Sequence, residues 1–516
     1  MQLSSILQKP PGYVVASILC SLGGFLFGID TGIIGPVTVM DEFKKYTGNP
    51  SPTIHGLIVS SILIPAAISS FFAGRVADAL GRPRGIAIGS LIFGIGAALE
   101  AASMHIAMFI VGRIVEGIGE GLYLGTLIVY ICEISPPRTR AVLTTGPQLI
   151  TTFGLMTGFF TCYGTANIQS SFSWRLPFVL LAGYSFVFSA SMLLWLPASP
   201  RWLTLRGRTQ EAAAAWDKLD VPAADREKIL DQYDAAVVET AIPDASGGTN
   251  AAHITSTTVA VPKSKKAKML DVFSSDARPR LFLAVFLMGM QQLSGIDGVL
   301  YYAPLLFQQA GLSSTQSTFL ASGVSAIVIF AVTIPATLFA DRWGRRPNTI
   351  LGGIGMAGTM FLMGSLYAGD AVHAGSGAGR WVVIASIYVF AVIYCVTWAV
   401  GVKVYAAEIQ PQRTRASATS IAHGSNWLSN FLVALVTPTL LAKTSYGAYF
   451  LFGGCALLTA AVCAVFMPET RGLSLGEIDQ AFVRGSKAGT AVSGLREFAR
   501  AARRRAHWGR RAEVEP

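Results

Sequence analysis

Asp30, Glu100, Arg113, Glu116, Glu120, Asp297 and Lys403 are ionisable side chains set inside long apolar runs of this sequence. A charge at the centre of a hydrocarbon span costs about 2.5–3.5 kcal/mol on insertion scales, so each needs a chemical reason. Arg113, Glu116 and Glu120 stand at i, i+3 and i+7, which puts them within about 60° of one another on one helix face. Asp30 lies in Phe27-Gly28-Ile29-Asp30-Thr31-Gly32, at a depth similar to that of Arg113, so an Asp30–Arg113 ion pair between two helices is predicted. Burial and a neighbouring arginine act on a carboxyl proton in opposite directions. Such a pair suits either proton exchange or the static bracing of two helices, and both readings stand. Glu100, Glu116 and Glu120 have three open readings: they share Arg113, they extend a proton path, or they face water.

The elements that must carry these charges are membrane helices. The chain has 516 residues, 52% hydrophobic and 13% charged, with a mean hydropathy of +0.51. A soluble protein carries about a quarter charged residues, and its core helices keep one polar face. Here the apolar residues gather into about twelve runs, each near the 20 residues a membrane crossing requires. The runs fall near 13–36, 55–76, 85–104, 106–132, 143–163 and 176–197, then 280–308, 316–340, 348–369, 381–407, 417–442 and 446–467. The stretch Thr209 to Thr240 reads as short helices and Pro243 to Pro262 as a flexible linker. The expected domains are a terminus over 1–12, a six-helix bundle over 13–197, an insert over 198–279, a second bundle over 280–467 and a basic tail over 468–516.

Charge distribution fixes an expected orientation. The net charge of +11 is concentrated in alternate connectors: Arg75, Arg82 and Arg84; Arg138 and Arg140; Arg342, Arg345 and Arg346; Arg413 and Arg415. Connectors such as Gly164 to Ser173 carry no charge. This positive-inside bias predicts both termini in the cytoplasm and excludes nucleic acid as the reason for the charge. The tail from Arg484 to Arg511 reads as a solvated basic segment that also suits anionic lipid heads. The six cysteines make no CxxC pair and no Cys/His cluster, so no disulfide framework, metal or cofactor is expected. No cleavable leader is expected. HExxH, GxSxG and Walker patterns are absent, so neither catalytic residues nor an enzyme is expected.

The halves repeat. Gly74-Arg75-Val76-Ala77-Asp78-Ala79-Leu80-Gly81-Arg82-Pro83 is echoed by Ala340-Asp341-Arg342-Trp343-Gly344-Arg345-Arg346-Pro347. Glu133-Ile134-Ser135-Pro136-Pro137-Arg138-Thr139-Arg140 returns as Glu408-Ile409-Gln410-Pro411-Gln412-Arg413-Thr414-Arg415. Pro197 to Arg201 is matched more loosely by Pro468 to Arg471. With Gln291 to Tyr302 and Asn426-Trp427, these motifs resemble the fungal-type sugar porter branch of the major facilitator superfamily, from the first span to Leu475. The resemblance implies an all-α membrane fold of twelve transmembrane helices in two pseudo-symmetric six-helix bundles, with a solute site near the midplane where they meet.

The resemblance also implies roles. Gln148, Gln291, Gln292, Asn426 and Asn430 would supply amides to a hydroxyl-rich solute, and Phe27, Tyr302 and Trp427 would supply rings. Adjacent Gln291 and Gln292 point the same way only if the helix breaks, which Gly295 and Gly298 allow. Asp30 with Arg113 would couple transport to protons. Asp78, Arg82, Glu133, Arg138, Arg140, Asp341, Arg345, Glu408, Arg413 and Arg415 would form a cytoplasmic gate whose ion pairs hold the outward-open state. Several positions depart from the pattern: Asp297 replaces an asparagine, Ile329 another, Lys403 a tryptophan and Ile128 a proline. Lys403 is open to three readings: it meets an anionic solute, it pairs with Asp297, or it snorkels. The expected function is secondary active transport of a sugar or polyol, with proton symport, by a plasma-membrane monomer. A transporter or exporter of a hydroxy acid or other small metabolite and a nutrient sensor with a transporter fold are the alternatives.

Overall fold

The computed structural model describes residues 10–471 except 224, 227–270, 275–276, 313–314, 340–342, 374–376 and 412–413. The first half consists of helices Gly12–Val39, Pro52–Leu80, Arg82–Ala102, Ile106–Ile134, Pro137–Thr165 and Phe172–Trp195, here spans 1 to 6. In the second half, span 7 is Arg278–Tyr301, continued by Ala303–Gln309. Thr315–Phe339, Arg345–Ala368, Gly379–Glu408, Arg415–Lys443 and Gly447–Phe466 are spans 8 to 12. Proline in the first turn starts spans 2, 3, 5 and 7, where its missing N–H is no loss. Gly81, at φ 92°, supplies the left-handed turn between spans 2 and 3.

Ten of these helices are long and apolar enough to cross a membrane. The other two long ones, spans 5 and 11, run 29 residues each but are more polar. They hold equivalent places in the two repeats, and each turns hydroxyls and amides inward. Among the described residues, this multi-pass membrane protein thus has twelve long helices. Ile18, Leu91, Val111, Val187, Leu194, Leu351 and Leu458 stand exposed on its outside, as a lipid-facing surface requires. A seven-residue helix, Asp41–Thr47, which the hydropathy pattern did not predict, links spans 1 and 2.

Helices in lipid associate by close packing rather than by hydrophobic force, so small residues mark the seams. Spans 1 and 5 meet along glycines: a methyl group on Gly158 would stand 2.6 Å from the carbonyl oxygen of Ile29. The halves meet at the end remote from the arginine connectors. The hydroxyls of Thr53 and Thr439 lie 3.4 Å apart, and Gly56 abuts the Leu435 backbone. Gly35 abuts Tyr301, and Phe153 faces Phe330 at mid-depth, 5.5 Å between ring centroids.

Of the expected insert, helices Pro200–Leu205 and Thr209–Lys218 are described. The remainder of the predicted Thr209–Thr240 helical stretch from residue 227, the 243–262 linker and the basic tail from residue 472 lie outside the described residues.

Candidate solute chamber and buried charge cluster

Span 7 is helical through Leu293, then turns at Gly295, whose φ of 88° admits only a residue without a side chain comfortably. The break lies just beyond Gln291 and Gln292 rather than between them. Both amides still converge on one partner, because side chains 100° apart on a helix can straddle a facing asparagine. Asn426 of span 11 donates to the Gln291 Oε1 at 3.2 Å and to the Met288 carbonyl at 2.8 Å. Gln292 donates to Asn426 Oδ1 at 3.2 Å.

Gln291 donates in turn to the Trp398 carbonyl at 2.9 Å. Span 10 is interrupted there, between Gly379–Thr397 and Gly401–Glu408, although the prolines of the related pattern are absent. The helical bond to that carbonyl, from Val402, has stretched to 3.4 Å. The glutamine therefore satisfies a backbone group that the break loosens.

Two oxygens of this network remain buried and unpartnered: Gln292 Oε1 and Asn430 Oδ1. Both are acceptors, and a hydroxyl-bearing solute brings donors. The Asn430 amide lies 3.5 Å from the Tyr301 hydroxyl. Phe27, Gln148 and Trp427 stand half-buried on spans 1, 5 and 11. Tyr302 corrects the expectation for its ring: it is 1% exposed, donates to the Ala434 carbonyl at 2.6 Å and packs edge-on against His55. Its neighbour Tyr301, which the sequence reading passed over, is the tyrosine that reaches the amides. Ile329, at the other departed position, is simply packed in the apolar core of the second half.

Asp297 and Lys403 are half-buried, and each is a charged group acting on the other. His423 of span 11 is exposed and lies within reach of Lys403. No ion pair within 4.0 Å joins Lys403 to Asp297 among the described residues, so the three readings of Lys403 stay open.

The first half holds a different kind of charge site, sealed in helix packing. Arg113 Nη1 lies 2.6 Å from Asp30 Oδ1, 2.9 Å from Glu116 Oε2 and 3.9 Å from Glu100 Oε2. Asp30 is 3% exposed and the others no more than 1%. The predicted Asp30–Arg113 pair is therefore formed, and of the three readings for the glutamates, sharing Arg113 holds for Glu116 and Glu100. Glu120 is equally buried, with one carboxyl oxygen unpartnered.

At the arginine-rich end, Arg82 meets Glu133 at 2.9 Å and Asp78 at 2.9 Å. Trp202 and Arg206 both donate to the Asp78 carbonyl, at 2.9 and 2.6 Å, so the segment after span 6 is latched to this connector. The second half repeats the device with different atoms. Arg345 lies 3.5 Å from Glu408, and Glu469 accepts from the backbone N–H groups of Arg345 and Arg346 at 2.9 and 3.1 Å. That places a carboxylate at the positive N-terminus of span 9. Glu469 was missed as a site residue, although the Pro468–Arg471 repeat signalled it. Arg140 donates to the Ser135 carbonyl at 3.3 Å and Arg415 to the Gln410 carbonyl at 3.1 Å, a matched pair. The pairs Arg82–Asp78, Arg82–Glu133 and Arg345–Glu408 each lie within one half. Asp341 and Arg413, and the side chain of Arg138, lie outside the described residues.

Two six-helix halves, with joined amides on spans 7 and 11 and a buried ion pair between spans 1 and 4, are the frame of a polytopic solute transporter. The chain belongs to the sugar (and other) transporter family, whose profile matches residues 16–482. It is a transporter and not an enzyme. A high-affinity glucose transporter of Kluyveromyces lactis is 28% identical over 488 residues, covering 91% of this chain and 85% of that protein. A sugar transport protein of rice, Oryza sativa subsp. japonica, is 30% identical over 488 residues, covering 90% of each. The major facilitator superfamily proton:xylose symporter XylE, solved with 6-bromo-6-deoxy-D-glucose, superposes with a TM-score of 0.72. It is 24% identical and covers 91% of this chain and 99% of that one. The fold is that of the major facilitator superfamily.

Proposed function

We propose that this protein is a proton-coupled transporter of a hexose or a closely related sugar or polyol, working by alternating access between the halves 13–197 and 280–467. The observation that carries the reading is the joined amides of Gln291, Gln292 and Asn426, with unpartnered acceptors on Gln292 and Asn430 waiting for hydroxyl donors. Phe27, Gln148, Asp297, Lys403 and Trp427 complete the chamber. The likeness to the Kluyveromyces lactis glucose transporter and the rice sugar transport protein supports the same solute class. Asp30 and Arg113 carry the proton coupling: protonating Asp30 loosens its hold on Arg113 and lets span 1 move against span 4.

The arginine connectors face the cytoplasm by the positive-inside rule, so both termini do as well. The halves then meet at the outer side, and the gate residues Asp78, Arg82, Glu133, Arg138, Arg140, Arg345, Glu408 and Arg415 sit at the inner side. There, ion pairs kept within each half are available to exchange partners across the gap when the inner side closes. The protein acts as a monomer in the plasma membrane.

Lys403 and His423 favour a second reading, transport of a hydroxy acid, because a cation in the chamber suits a carboxylate. Purified protein in liposomes, offered glucose, a polyol or quinate with and without an inward proton gradient, separates the two. The sugar reading expects gradient-driven glucose or polyol accumulation that survives Lys403→Gln. Quinate accumulation that Lys403→Gln abolishes, with no sugar uptake, would replace it with the hydroxy-acid reading.

A further inference from the structure

The cluster in the first half holds more acid than an Asp–Arg switch needs. Three carboxyl groups, Asp30, Glu100 and Glu116, lie within 4 Å of one guanidinium, and a fourth, Glu120, is buried on the same helix as Arg113. Ionising all of them leaves three negative charges uncompensated in a site sealed from water, so the cluster must retain protons. Its geometry says where. Spans 3 and 4 are drawn together at Gly96 and Gly112: a methyl group on Gly112 would stand 2.7 Å from Glu100 Cγ, and one on Gly96 2.7 Å from Glu116 Cβ. Glycine at both positions lets the Glu100 and Glu116 carboxyls close on the same Arg113 Nη1, at 3.9 and 2.9 Å, with both Glu100 oxygens lacking a hydrogen-bond donor. A hydrogen bond between two carboxyls requires a proton held between them.

The other groups facing the cluster are Glu120 and Tyr123 of span 4, Tyr184 of span 6 and Tyr301 of span 7. Tyr123 is fully buried, acts electrostatically on Glu120, Glu116 and Asp30, and its hydroxyl has no partner.

We propose that Glu100 and Glu116 form a proton-sharing pair that serves as the standing counter-ion of Arg113 when Asp30 is protonated. The step balances without any co-reactant. In the resting cluster Asp30 is ionised and the glutamate pair holds one proton and one negative charge. A proton from solution then adds to the Asp30 carboxylate, no other bond changes, and Arg113 passes from two anionic partners to one. The guanidinium is never left alone in the membrane, and span 1 is released while span 4 stays neutralised by span 3. Glu116 and Glu100 are positioning residues for the coupling reaction, which this inference takes from the proton-symport reading above.

The test is the pH profile of solute uptake, with solute-driven proton movement recorded in the same liposomes, for wild type, Glu116→Gln and Glu100→Gln. Removing Glu116 leaves Arg113 to Asp30 and the more distant Glu100, and takes a negative neighbour away from the proton. Half-maximal uptake then moves to more acidic pH by about one to three units, the scale of one nearby charge. Glu100→Gln, from the other helix, gives the same direction and serves if Glu116→Gln fails to assemble. A wild type that moves no protons with its solute overturns both the symport reading and this inference. A wild type that moves protons, with variant profiles superimposed on its own, overturns the inference alone and leaves symport standing.

Discussion

Asp30→Asn is expected to abolish uphill accumulation of solute while leaving exchange of labelled for unlabelled solute intact. Asparagine keeps the size of the side chain and an oxygen for Arg113, but it cannot cycle a proton. Breaking a buried ion pair by removing one partner costs about 3–5 kcal/mol when the survivor is left alone. Here the survivor is not alone, since Glu116 sits 2.9 Å from the same Nη1. The variant should therefore fold and bind, and lose only the link between gradient and transport. Uptake against a concentration gradient, compared with counterflow at equal pH on both sides, reads the two properties separately. Accumulation that persists unchanged in the variant would assign the pair to helix bracing.

The second large effect belongs to the amides. Asn426→Ala should lower solute affinity more than Gln291→Ala or Gln292→Ala, because Asn426 is bonded to both glutamines and to the Met288 carbonyl. Its loss frees the glutamine amides to turn and leaves buried groups unsatisfied, at about 1–3 kcal/mol each. About 1.4 kcal/mol corresponds to a factor of ten, so a KM rise of ten-fold or more is expected. Concentration dependence of uptake in liposomes checks it. Equal, small effects from all three substitutions would mean that the network supports the helix break at Trp398 and does not touch the solute.

These sites were legible in the sequence to different depths, for physical reasons. Membrane spans announce themselves because lipid tolerates only long apolar helices, and an ion pair announces itself because a lone charge there is so costly. Asp30 and Arg113 are therefore paired by the sequence itself, whereas Gln291, Gln292 and Asn426 come together there only through the resemblance to the sugar porter motifs. Tyr301 and Tyr302 were not separable in that way. Their facing depends on the turn at Gly295 and the further break at Tyr302, each of which rotates the chain after it. The meeting of Glu100 with Glu116 depends on how closely spans 3 and 4 approach, which the glycines allow but no spacing along one helix reveals. The role of Glu469 at the start of span 9 was similarly hidden, because it joins residues more than a hundred positions apart.

The claim on which the account rests is that the two halves separate at the outer end during every cycle. The Thr53 and Thr439 hydroxyls, 3.4 Å apart across that seam, give a direct way to stop them. Thr53→Cys with Thr439→Cys should form a disulfide on oxidation, as side chains this close permit. Single-cysteine controls account for the chain's own six cysteines. The account predicts that cross-linking halts solute flux and that a reductant restores it, with both single variants unaffected. Full flux through protein shown to be quantitatively cross-linked would contradict it.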